Sequence, residues 1–208
     1  MHELAAKYFG EDGGNQLINV INNKDLKSKI CKNILRDLAE WFGIESSTKA
    51  YIEGVRDKLF IAYKEKGEYV GFVSLEETSE ISCDMYVLGV LKKYHKTGIG
   101  TKLINFIEGE AKKLGKTYIT VKVLSDSHPC ENYQKTRRFY NKNGYRMLEE
   151  LKDLWGEDNP CAYCIKELHP SRIIDITENL RLRNNKSDFS EKKGMEHKEQ
   201  IWVVSKVL

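Results

Sequence analysis

The run ISCDMYVLGVLKKYHKTGIGTKLINFIEGEAKKLGKTYITVKVL, residues 81–124, constrains the fold of this chain more than any other stretch. Its two ends are rich in β-branched, aromatic and aliphatic residues and read as strands. Between them Ile99, Leu103, Ile104, Phe106, Ile107, Ala111 and Leu114 recur at helical spacing, and Gly115 ends the pattern. Strand, helix and strand in that order form a crossover whose two strands lie parallel or nearly so. The joint YHKTGIGTKL, residues 94–103, carries two glycines one residue apart. Glycine there supplies a sharp turn, and amide N–H groups freed at the start of a helix can hold an anion such as a phosphate.

The rest of the chain supplies the partners of this unit. QLINVINN, residues 16–23, alternates like a strand. Asp25 then caps a helix over 26–42, on which Ile30, Ile34, Leu35, Leu38, Trp41 and Phe42 share one face, and Ser46-Ser47-Thr48 caps a second helix over about 47–58. The segments 59–66, 68–77 and 81–91 are three strands with short turns, hence an antiparallel meander. After the crossover come a turn-rich loop at 125–134, a helix over about 133–143 closed by Gly144, and two strands at 145–154 and 161–168 joined by WGEDNP. From 170 onward the chain is polar with mixed charge until IWVVSKVL, 201–208, a strand signal that needs a sheet edge of its own chain or of a partner.

Bulk properties exclude several classes. Lys and Arg number 34 against 31 Asp and Glu, so the net charge of +3 argues against nucleic acid or an acidic membrane surface as partner. The start MHELAAKYFGEDGG lacks the apolar core of a secretory signal, and no apolar run approaches the ~20 residues that span a bilayer, so the expectation is a cytoplasmic protein. The five cysteines suit reduced thiols. Cys161 and Cys164 form a C-x-x-C, but a separation of three in a strand places them on opposite faces, and no metal is expected.

The glycine pair fails the Walker spacing, and the dinucleotide fingerprint would need a glycine where Leu103 stands. His95-Lys96-Thr97-Gly98-Ile99-Gly100 instead resembles the Q/R-x-x-G-x-G/A pyrophosphate loop of the GNAT superfamily of N-acetyltransferases. The preceding Leu88-Gly89-Val90 resembles the end of that family's fourth strand, and Phe139-Tyr140 followed by Gly144-Tyr145 matches a second family pattern. The order of elements over about 16–168 is similar as well. His95 departs from the family's Gln or Arg, and Tyr133 from its frequent Asn, which leaves neighbouring Asn132 as the candidate contact to the pantetheine arm.

The resemblance implies an α/β fold of the α+β kind, a GNAT-type mixed and mainly antiparallel sheet of about seven strands flanked by helices. It implies a domain at 16–168 between an extension at 1–15 and another at 169–208. The implied cofactor is acetyl-CoA as acetyl donor, and the implied acceptor a small-molecule or peptide amine that attacks in a ternary complex. The amides and side chains of His95, Lys96, Thr97, Gly98, Ile99, Gly100 and Thr101 would hold the pyrophosphate. Leu88 and Val90 would bond the pantetheine and thioester, with the Val90 N–H as oxyanion donor. Tyr140 would protonate the departing sulfur, and Asp84, assigned the same strand parity as Leu88 and Val90, is the candidate base beside Glu76 and Glu77.

Glu45, Glu53, Glu76, Glu77, Glu149, Glu150 and Asp153, if gathered in one cleft, would favour a cationic acceptor. The alternative reading is an acyl-CoA sensor or interaction module of the same shape without turnover. A homodimer through the terminal strand stands beside both.

Overall fold

The structure, a computed structural model, describes residues 17–156 and 158–168; the terminal strand expected at 201–208 and both extensions lie outside them. Seven strands and four helices follow the expected order: β1 (Ile18–Val20), α1 (Lys24–Asp37), α2 (Glu45–Gly54), β2 (Leu59–Glu65), β3 (Glu68–Glu77), β4 (Ser82–Val90), α3 (Ile99–Lys113), β5 (Tyr118–Leu124), α4 (Glu131–Lys142), β6 (Arg146–Leu151) and β7 (Cys161–Glu167). The strands form one sheet in the order β1-β2-β3-β4-β5-β7-β6. Only β4 and β5 are parallel, as the crossover through α3 demands; every other neighbouring pair is antiparallel.

Two apolar cores lie on the two faces. Leu103, Ile104 and Ile107 of α3, with Tyr140 and Tyr145, pack on Val73, Met85, Ile119 and Val121. On the other face Ile30, Ile34 and Leu35 of α1 pack with Val55 on Phe60, Phe72 and Val87. The stacked rings of Phe60 and Phe72, with centroids 4.9 Å apart and planes nearly parallel, belong to that second core. Gly89 permits the approach of α1, since a Cβ there would stand 3.0 Å from Ile34 and 3.1 Å from Phe72.

Three local expectations change. Asn23, not Asp25, caps α1 by accepting from the Leu26 amide at 2.9 Å, while Asp25 pairs with Arg56 at 2.9 Å. The helix ends at Asp37, so Trp41 and Phe42 sit in the turn beyond it, their amides bonded to the Leu38 carbonyl. At α2 the Ser46-Ser47-Thr48 cluster falls inside the first turn, behind an Ile44 cap with no side-chain bond, and Thr48 donates to the Phe42 carbonyl instead.

A fourth change has chemical weight. Ser74 pairs with Val87 and Leu75 with Met85, so Tyr86 is an extra residue, a β-bulge in β4. One added residue reverses the alternation of every side chain beyond it. Met85 and Val90 therefore share the α3 face, whereas Asp84, between Cys83 and Met85, faces the α1 and α2 side. The expected common parity of Asp84 with Leu88 and Val90 is overturned by this bulge.

Burial makes the fold sensitive to alkali. Burial pushes the thiols of Cys31 and Cys83 up to about 12 and that of Cys161 up to about 11. Because the unfolded chain releases these protons near pH ~8.5 and the folded chain does not, stability is full below that pH and declines above it, by about 1.4 kcal/mol per pH unit per thiol. Urea midpoints measured from pH 7 to 10.5 are expected to stay level to about pH 8 and then fall; a level profile to pH 10.5 would refute the assignment.

Candidate active site

The site begins where β4 and β5 stop pairing. Their register covers only Ser82 with Tyr118, Cys83 with Ile119 and Asp84 with Thr120, although β4 continues to Val90 and β5 to Leu124. Beyond this fork β4 has an edge inside the sheet. The Leu91 amide donates to Val70 on the β3 side at 2.9 Å, and strand alternation then turns the backbone groups of Leu88 and Val90 toward the gap.

The loop after β4 winds through a 3-10 turn at Lys92–Tyr94, and Lys96 and Gly98 adopt positive φ of 64° and 87°. Gly98 is the N-cap of α3, and no side chain caps the helix. The His95 amide donates to Lys92 and the Thr97 amide, at 3.4 Å, to Tyr94. By contrast the amides of Lys96, Gly98, Ile99, Gly100 and Thr101 have no acceptor among the described residues, and the first bond of the helix is from Lys102 to Gly98 at 3.0 Å. Five donors at the positive end of a 15-residue helix have the chemistry to receive an anion.

The two glycines have separate reasons. Gly98 provides the left-handed backbone that a Cβ would strain. At Gly100 a Cβ would stand 3.0 Å from the ring of Phe139, so this glycine lets α4 pack against the first turn of α3. Packing against Phe139 is thus a structural requirement for glycine at position 100, beside the turn that the sequence suggests.

On the α1 and α2 face of the fork, Asp84 is 6% exposed. Its Oδ1 accepts from Thr120 at 2.7 Å, and its Oδ2 pairs with Lys122 Nζ at 2.9 Å. Tyr140 lies on the opposite face, where its hydroxyl meets Met85 Sδ at 3.8 Å, one residue past the last paired position. Burial, and next the charge of Asp84, raise its pKa above the ordinary phenol range, so Tyr140 stays protonated. Tyr51 on α2 is raised by the same two causes in the same order. Asp84, Tyr51 and Tyr140 thus surround the fork from both faces.

A bridge joins the two sides of the gap. His95 Nε2–H donates to the Val90 carbonyl at 2.7 Å, and its ring meets that of Trp41 edge-on at 5.7 Å. Trp41 Nε1–H donates to Thr136 Oγ1 at 3.1 Å, and the Tyr133 hydroxyl donates to the Trp41 carbonyl at 2.7 Å. The His95 side chain is therefore turned to the strand edge. Asn132 offers its carbonyl to Trp41 at 3.4 Å, and its side-chain oxygen accepts from Lys135 at 3.2 Å.

Residues that sequence reasoning missed are Trp41, Tyr51, Thr120 and Lys122. Only the last two carried a signal, as polar residues two apart on one face of an otherwise apolar strand. The proposed acidic lining also changes: Glu45, Glu53, Glu76 and Glu77 pair with Lys49, Arg56, Lys58 and Lys116. Glu150 accepts from Ser125 and Ser127.

Comparison with known proteins agrees with this geometry. Residues 56–147 match the model of the acetyltransferase (GNAT) domain. An aminoglycoside 6'-N-acetyltransferase solved in complex with coenzyme A superposes with a TM-score of 0.60 at 21% identity, covering 74% of this chain and 97% of that one. An aminoglycoside 6'-N-acetyltransferase from Enterococcus faecium gives 0.58 at 22% identity, with 74% and 97% covered. Ard1 from Thermoplasma volcanium gives 0.56 at 15% identity, with 74% and 99% covered. No curated protein sequence matches the chain significantly. The sheet order and the match of residues 56–147 to the GNAT acetyltransferase domain identify the fold as the one that the sequence resembled.

The loop assignment is testable by stability. Gly98→Ala is expected to lose roughly 1–2 kcal/mol from its left-handed backbone. Gly100→Ala is expected to lose about 1 kcal/mol as Phe139 is displaced, after allowance for the better helix former. Urea unfolding measures both, and a Gly100→Ala chain as stable as the parent would show that the ring yields freely.

Proposed function

We propose that this chain is an acetyl-CoA-dependent N-acetyltransferase that acts on a primary amine by direct attack in a ternary complex. The carrying observation is the set of five unpartnered amides at the start of α3, beside a strand edge that opens within the sheet. Acetyl-CoA has chemistry for both: a pyrophosphate for the amides, and an extended arm with two amide groups for the edge of β4. Coenzyme A in one structural neighbour and the GNAT family match support the same choice.

The roles follow from place. Lys96, Gly98, Ile99, Gly100 and Thr101 amides hold the pyrophosphate, whereas the Thr97 amide and hydroxyl are spent on Tyr94. Leu88 and Val90 present N–H groups to the arm. Tyr140 marks where sulfur sits, and Leu88 is nearer than Val90 along β4 to its contact residue Met85, so the Leu88 N–H joins Val90 as oxyanion donor. Tyr140 donates a proton to the departing thiolate, and Asp84 takes one from the acceptor amine on the opposite face. Asn132, with its side chain bonded to Lys135, keeps only a peripheral place beside the arm.

The acceptor is read as a small-molecule amine. Aminoglycoside acetyltransferases among the neighbours support that class, while the pairing of Glu45, Glu53, Glu76 and Glu77 with bases removes most of the charge argument for a polycation. The domain is taken as 16–168 with extensions on both sides, in the cytoplasm; among the described residues no helix is long and apolar enough to cross a membrane. One observation favours the alternative of a sensor without turnover: Asp84 and the Val90 carbonyl already have partners, Lys122 and His95.

A thiol-release assay over a panel of amines separates the readings. Turnover is expected with at least one small amine, and Tyr140→Phe is expected to lower kcat about a hundredfold while calorimetric affinity for coenzyme A stays unchanged. Tight binding without thiol release for any amine would establish the sensor.

A further inference from the structure

We propose that Lys122 is a self-acetylation site, the chain's own amine seated in the acceptor position. This inference rests on the acetyltransferase reading above. A general base must lie within hydrogen-bond reach, about 2.6–3.2 Å, of the amine it deprotonates. The carboxylate assigned to that task already holds an amine within that distance, since Lys122 Nζ is 2.9 Å from Asp84 Oδ2.

The position of Lys122 supports the assignment beyond that one contact. It lies on β5 two residues past Thr120, the last residue of β5 to pair with β4, so its backbone borders the gap rather than the closed sheet. Its side chain is 33% exposed and its ammonium lies 5.4 Å from the ring centroid of Tyr163, on the Asp84 face. Thr120 holds the other carboxylate oxygen, which fixes Asp84 in the orientation that presents Oδ2 to Lys122. Other lysines in ion pairs, such as Lys58, Lys92, Lys116 and Lys166, pair with Glu76, Glu40, Glu77 and Glu108.

The chemistry balances with acetyl-CoA alone. Asp84 accepts one proton from the Lys122 ammonium, and the neutral nitrogen attacks the thioester carbonyl carbon. As the new C–N bond forms and the C–S bond breaks, the leaving thiolate takes a proton from Tyr140, and the nitrogen's second proton is relayed to the tyrosinate and restores the phenol. The products are an amide on Lys122, free coenzyme A and one proton released from Asp84. The amide carries no charge, so Asp84 loses its ionic partner and is left open to an external ammonium.

The test incubates the full chain with acetyl-CoA and no added amine, and follows acetylation lysine by lysine with peptide mass spectrometry. Labelling at Lys122 is expected to exceed that at exposed Lys113 by about tenfold or more, because a held amine reacts as if at high concentration. Its rate per chain is expected to be independent of protein concentration. Tyr140→Phe and, separately, Asp84→Asn are expected to reduce labelling at Lys122 about a hundredfold and leave Lys113 unchanged; either variant suffices if the other fails to fold. Lys122→Arg keeps an ion pair with Asp84 and should show no label at that position.

A chain that binds acetyl-CoA in a calorimeter yet labels Lys122 no faster than Lys113 overturns the self-acetylation and leaves the transferase reading standing. Equal labelling of Lys122 in parent and variants shows uncatalysed chemistry and overturns it too. Absence of any heat of binding with acetyl-CoA overturns both.

Discussion

The short pairing of β4 with β5 is the constraint from which the rest of this structure follows. Three residue pairs hold the two halves of the sheet together, and past Asp84 and Thr120 the strands part. A sheet that opens in its middle loses ladder bonds there and must be held by something else. Helix α3 does much of this. Leu103 and Ile107 join it to the core that also holds Met85 of β4 and Ile119 and Val121 of β5, and Glu108 on the same helix bonds Lys166 of β7 at 2.7 and 2.8 Å and the Tyr145 hydroxyl at 3.0 Å. A buried carboxylate with three such contacts is a strong positional constraint, since removal of one partner would strand a charge. The helix that follows the fork is thereby fixed to β7.

The second constraint is the bulge at Tyr86. It falls just after the last paired residues, and it divides the chemistry between two faces. Below it Asp84 looks toward α1 and α2; above it Leu88 and Val90 return to the α3 face, where Tyr140 lies against Met85. In the reaction proposed above, a phenol and a carboxylate on opposite faces of one gap would let a thiol leave on one side while an amine approaches from the other. Tyr51 and Tyr86, with rings 5.4 Å apart, form an aromatic wall beside the approach on the Asp84 side.

Much of this was legible in the sequence, and the reason is periodicity. Strand alternation in 59–91, helical spacing from Ile99 to Leu114 and glycine at the turns are local signals, and all seven strands and four helices of the described residues appear where they were expected. The departures are non-local. A bulge leaves no mark in a strand's composition, so the face of Asp84 was read wrongly. Trp41 fitted the apolar stripe of α1, yet its indole is drawn away to α4 by bonds to residues some ninety positions distant. The packing need for Gly100 is equally hidden, because the ring against it, Phe139, comes from another helix. The ion pair between Asp84 and Lys122 crosses from strand to strand and has no short-range signature.

The bridge of Trp41, His95 and Tyr133 has a further consequence. An unpaired strand edge ordinarily recruits any extended polypeptide, and proteins blunt such edges to avoid aggregation. This edge is walled by β5 on one side and fastened at Val90 by an imidazole, with an indole behind it. A visiting polypeptide would have to thread its side chains through that enclosure, whereas a slender unbranched chain need only slip past a ring. Fastening of the Val90 carbonyl, rather than any charge, is what blunts this edge against foreign strands.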